Sequence, residues 1–145
     1  MNLSKLKTVI VVFIAALWLA CMYLGWQNDF IPAMCLGVAL MLLHMILGAA
    51  KNGVISKKLL VYPFGLWALL WIVSFICSKY YSDLFAGVMP SFTILGFHPS
   101  FAFTIWFYWI GGMFTLSLGF HLYKDEWLSE KDWKDFVNQV QKEAK

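Results

Sequence analysis

Three histidines and three cysteines are the residues of this chain best suited to chemistry. His44 and His121 fall in two different apolar tracts, the arrangement by which a helical bundle ligates a b-type haem. His44 lies seven residues before Lys51 and His121 three before Lys124. A rise of 1.5 Å per residue therefore sets them roughly 6 Å apart in depth. The chain has no Arg to meet haem propionates. The alternative is that both imidazoles bond to neighbouring helices or sit at an interface, or that a partner completes a site. His98 and Asp83 share one loop region, but no nucleophile–base set or carboxylate pair accompanies them, so no enzyme is expected. Cys21, Cys35 and Cys77 share no metal-ligand spacing. Cys21 and Cys35 bracket a predicted loop, which leaves open a disulfide between them or two small packing residues.

The elements that hold these residues follow from charge. Of 145 residues, 61% are hydrophobic and 13% charged, about half the charge of a soluble domain. No Asp, Glu, Lys or Arg occurs in 8–27, 30–50, 59–78 or 84–123. Each tract is apolar on all sides and long enough for the roughly 20 helical residues that cross a bilayer, and four strands could not close a barrel in lipid. The expectation is an all-α integral membrane four-helix bundle of two helical hairpins, with spans near 8–26, 31–50, 59–78 and 101–123 forming a domain over 1–123. A soluble core, a nucleic-acid module and a disordered tail are excluded as the main reading.

Lysine sets the orientation. Ten of the eleven fall before the first tract, between the second and third, or after the fourth, and only Lys79 lies on the other side. That bias predicts both termini in the cytoplasm, in a membrane such as the bacterial inner membrane. The start resembles a secretory signal, with Trp18-Leu19-Ala20-Cys21 near a lipoprotein box. However, Trp18 occupies a position that wants a small or branched residue, and the apolar run is long. The first helix is expected to stay.

No predicted span holds a carboxylate or a lysine, so the charged groups that coupled carriers keep inside the bilayer are missing. Gly111, Thr115 and Gly119 repeat at four residues, the register that lets helices approach closely, and predict a helix-packing face. Six rings stand among residues 101–109, and Trp106 and Trp109 there read either as a thick aromatic belt or as a surface for another membrane protein. Six of the eight acidic residues come after Tyr123. There Ser129 and Asp132 form a capping box, and Trp133, Phe136, Val137, Val140 and Ala144 share one face, so 124–145 predicts an amphipathic cytoplasmic helix. Its mixed charge favours packing on protein over anionic lipid. Lys51–Lys58 (KNGVISKK) and Lys124–Lys131 (KDEWLSEK) align weakly as an internal repeat.

Ile94-Leu95-Gly96-Phe97-His98-Pro99-Ser100-Phe101, running into Trp106-Phe107-Tyr108-Trp109 and ending in Leu122-Tyr123-Lys124-Asp125-Glu126-Trp127-Leu128, resembles the small accessory subunits of sodium:solute symporters. The likeness spans about residues 62–130 and includes Trp67 and Trp71. His98 interrupts the family's Gly-Phe-Pro order, and the first hairpin has no counterpart in those two-helix proteins. The resemblance implies a non-catalytic partner of a large polytopic carrier. The predicted partner contacts are Trp106 and Trp109 on one side and Trp133, Phe136 and Val140 on the other, with no cofactor. The alternative is a haem b- or quinone-binding anchor of an oxidoreductase that uses His44 and His121.

Overall fold

The computed structural model describes residues 2–3 and 5–143; Ala144, the last member of the expected apolar face, lies outside them. The described residues hold four helices long and apolar enough to cross a membrane: α1 Lys7–Trp26, α2 Phe30–Gly48, α3 Lys57–Leu84 and α4 Pro99–Leu122. Two shorter helices follow, α5 Lys124–Trp127 and α6 Glu130–Glu143. No named strand occurs among the described residues, only isolated bridges such as Ile94 with Phe97.

Each long helix packs on the next in sequence. The turn between α1 and α2 is short enough for the Cys21 thiol to reach the Ala33 carbonyl at 3.7 Å. Helices α2 and α3 run antiparallel, since Val38 packs with Trp67 and Ala68 while Ile46 and Ala49 pack with Leu59 and Phe64. Helices α3 and α4 are also antiparallel: Ser78 donates to the Ser100 carbonyl at 2.8 Å, Ser74 to Phe103 at 3.0 Å and Tyr62 to Phe114 at 3.1 Å.

Two features of α3 and α4 exceed the sequence expectation. Helix α3 runs six residues past Ser78, carrying Lys79 and Asp83 as an i,i+4 ion pair on its last turns. Both helices also contain wide i→i+5 turns, at Leu60–Gly65 around Pro63 in α3, and at Thr104–Ile110 and Met113–Ser117 in α4. Pro63 explains the first, because its ring removes an amide donor and crowds the preceding turn. The others follow no sequence signal of that kind.

The lysine-bearing end is closed by a plug. Leu3 and Ile55 are buried with Leu59 and Phe64, and the Leu3 amide donates to the Gly53 carbonyl, so the segment before α1 is stitched to the α2–α3 connection. At the other end, rings of Tyr81, Phe85, Phe92 and Phe103 fasten the 85–98 loop to α3 and α4.

Candidate functional site

The small-residue face of α4 lies directly on α3. A Cβ built on Gly119 would stand 2.6 Å from the Pro63 Cβ, and one on Gly111 would stand 2.9 Å from the Leu70 Cδ1. A Cβ built on Gly112 would stand 3.2 Å from the Trp71 indole nitrogen. Thr115, buried between them, donates its hydroxyl to the Gly111 carbonyl at 2.8 Å, so that its own polar atom is paired within α4. The absence of side chains on α4 is filled by rings on α3: Trp67 is fully buried, and Trp71 stacks on Tyr108 with centroids 3.9 Å apart. The buried indole N–H groups of Trp67 and Trp71 have no acceptor among the described residues.

Trp106 and Trp109 point away from this seam and are exposed, the latter making an edge contact with Phe101. Beside Trp106, a wholly apolar hollow of about 280 Å³ is lined by Ile94, Leu95, Ala102, Phe103 and Phe107. Leu95 has φ 49° and Gly96 φ 84°, a tight turn that thrusts the Leu95 side chain outward, where it is exposed.

At the lysine end, the segment after α4 is held by charge. Lys51 pairs with Asp132 at 2.5 Å, Lys58 with Glu126 at 3.0 Å and Lys124 with Glu130 at 3.5 Å. Asp132 also accepts the Ser129 amide at 2.8 Å, and its own amide donates to the Ser129 hydroxyl at 3.3 Å, the reciprocal pattern of a capping box. The Lys51 ammonium and the Ser129 donors together hold the Asp132 carboxyl well below the usual carboxylate range. Glu126 is lowered by Lys58 and then by Ser56. With α6 tethered this way, Trp133, Phe136 and Val140 stay exposed, and the rings of Trp133 and Phe136 lie 5.9 Å apart.

The remaining chemistry-bearing residues are not brought together. His44 and His121 are both exposed. The His44 Nδ1–H donates to the Leu40 carbonyl at 2.8 Å, a bond within its own helix. The cavity of about 440 Å³ between α2 and the end of α4 is lined by Met45, Gly48, Ala49, Phe120 and Trp127 and by neither histidine. His98 is a helix cap: its Nδ1 accepts from the Ser100 hydroxyl at 2.8 Å and from the Ser100 amide at 3.3 Å. Its supposed neighbour Asp83 is paired with Lys79 instead. All three cysteines are free thiols, so Cys21 and Cys35 are not bridged. Among the described residues, no group of three His, Cys, Asp or Glu side chains could hold a metal ion.

Sequence reasoning missed the α3 hydroxyls that donate to α4 carbonyls and the capping role of His98. His98 directly before Pro99 was the available signal, since a side-chain acceptor followed by proline marks a helix start. Compared with protein-family models, with curated proteins and with solved structures, the chain gives no match in any of the three.

Proposed function

We propose that this protein is an integral membrane protein whose four long helices span the bilayer, with both termini on the cytoplasmic side. In this reading it is a non-catalytic accessory subunit of a larger polytopic membrane protein, a secondary transporter of the sodium:solute symporter class. The observation that carries the reading is two groups of exposed large side chains at opposite ends of the molecule, among the exposed apolar side chains that run along the long helices. Trp106 and Trp109 lie near the start of α4, and Trp133, Phe136 and Val140 on α6. The α3–α4 seam uses the glycines of α4 internally, so those large side chains are not needed to hold the chain together. On α6, which lies outside the long apolar helices, exposed large apolar side chains grouped on one face mark a contact surface.

Charge supports the same reading. The lysines and the carboxylate of α3 lie at its ends, Lys57 and Lys58 at one and Lys79 and Asp83 at the other, and α4 contains no Asp, Glu or Lys. Among the described residues no Asp, Glu, Lys or His is buried, which is where an ion-coupled carrier keeps such a group.

The test is isolation from native membranes in mild detergent. Accessory function predicts co-purification with one large polytopic protein in fixed ratio, reduced by Trp109→Ala combined with Phe136→Ala. Recovery as a lone species at every expression level contradicts it. Alkaline carbonate extraction tests membrane insertion separately, with the protein expected in the pellet.

A further inference from the structure

A groove of about 520 Å³ opens between the start of α2 and the packed pair α3 and α4, at the end opposite the lysine cluster. Its polar groups are ordered along its length. Lys79 and Ser82 stand at the rim, Ser78 and Thr104 come next, and Tyr108 lies about one turn past Thr104, within the wide-turn stretch of α4. Ile31, Met34 and Phe75 supply an apolar wall.

The donors are unequally used. Ser78 donates to the Ser100 carbonyl at 2.8 Å, with the Thr104 hydroxyl 3.3 Å away. The Ser82 hydroxyl and the Tyr108 phenol have no hydrogen-bond partner among the described residues. Tyr108 is fixed in place by its stack on Trp71, so its hydroxyl is a preset donor. Asp83, one turn past Lys79 on α3 and outside the groove lining, pairs with the Lys79 ammonium, so that an exposed dipole of one ammonium and one carboxylate borders the groove. A purely anionic ligand would meet Lys79 but also the Asp83 carboxylate, whereas a zwitterion meets both charges with opposite ones.

We infer that this groove binds a zwitterionic glycerophospholipid with a primary ammonium headgroup, of the phosphatidylethanolamine class. The phosphate faces Lys79 and Ser82, the headgroup ammonium faces Asp83, an ester carbonyl accepts from Tyr108, and an acyl chain lies along Met34 and Phe75. The order of groups in such a lipid, from charge through ester to hydrocarbon, matches the order of groups along the groove. A quaternary choline headgroup has no N–H for Asp83, and a phosphatidylglycerol headgroup has no cation. The inference rests on the membrane reading but not on a partner, so it is tested on the solitary chain.

Native mass spectrometry of the purified full chain in mild detergent, titrated with phosphatidylethanolamine, phosphatidylglycerol and phosphatidylcholine of identical acyl chains, decides it. Phosphatidylethanolamine is expected to be retained at least about fivefold better than either of the others. Tyr108→Phe keeps the ring stack and is expected to weaken that retention about threefold or more; Asp83→Asn is expected to shift the preference toward phosphatidylglycerol. Lys57→Gln, at the opposite end, is expected to change nothing. Equal retention of the three lipids, or phosphatidylethanolamine binding unchanged in both groove variants, overturns the inference. Competition by free glycerophosphoethanolamine at equal concentration also overturns it, by assigning the groove to a soluble phosphate ester.

Discussion

Gly119 of α4 and Pro63 of α3 are in backbone-to-ring contact, with space for no side chain between them: a Cβ on Gly119 would meet the Pro63 Cβ at 2.6 Å. Pro63 widens the α3 turn that contains it, and the ring it presents fits only opposite a residue without a side chain. Replacement therefore has to push two helices apart. Gly119→Ala is expected to destabilise the bundle by about 1–3 kcal/mol. Gly111→Ala is expected to do less, because its obstacle is the flexible end of Leu70. Gly37→Ala meets nothing within 4 Å and should be neutral or up to about 1 kcal/mol stabilising. Thermal unfolding in detergent, followed by circular dichroism, ranks the three.

The hydroxyls of α3 give a second series. Ser74 is buried and donates to the Phe103 carbonyl at the start of a wide turn in α4. Ser74→Ala should cost about 1 kcal/mol, within the range found for hydrogen bonds between membrane helices. Ser74→Cys, which keeps a weak donor and adds bulk, should not restore the stability; the same unfolding assay reads both.

The tether of α6 should respond to acid with a definite sign. Asp132 and Glu126 have carboxyls below their ordinary range in the folded protein, so their contribution is present above about pH 4, where the free carboxylates are ionised, and is lost as pH falls through the depressed values. Hydrogen exchange, corrected for intrinsic rate, should show protection of 124–143 declining below about pH 4 while α3 and α4 are unchanged. At neutral pH, Asp132→Asn should accelerate tryptic cleavage after Lys131 and Lys134 several-fold, and Lys51→Gln should do so to a similar degree.

The haem alternative makes its own prediction. Both histidines are exposed, and the cavity nearest them is lined by neither, so protein produced with ample haem should show no Soret band. A Soret band lost in both His44→Ala and His121→Ala would restore that alternative.

The architecture was legible where its cause is additive along the chain. Hydrophobicity summed over twenty residues locates all four long helices within a few residues of the observed bounds, except at the end of α3, where the uncharged tract ends at Ser78 but the helix continues through an intrahelical ion pair to Leu84. Capping chemistry is equally local, and Ser129 and Asp132 take up the reciprocal bonds their spacing implies. What could not be read depends on which faces meet. The wide turns of α4 contain no proline, and the pairing of Lys51 with Asp132 joins residues 81 positions apart. The weakly repeated segments around Lys51 and Lys124 do come together, through Lys58 of the first and Glu126 of the second, with Lys51 pairing just beyond the second copy at Asp132.

We propose that this chain assists transport and does not perform it. Reconstitution into liposomes separates the two roles, with the purified chain alone, the polytopic protein recovered with it alone, and the two together. No solute or ion movement is expected from the solitary chain, and higher uptake or a longer active lifetime of the carrier is expected when both are present. Solute-driven or ion-driven flux through liposomes that contain this chain alone would contradict it.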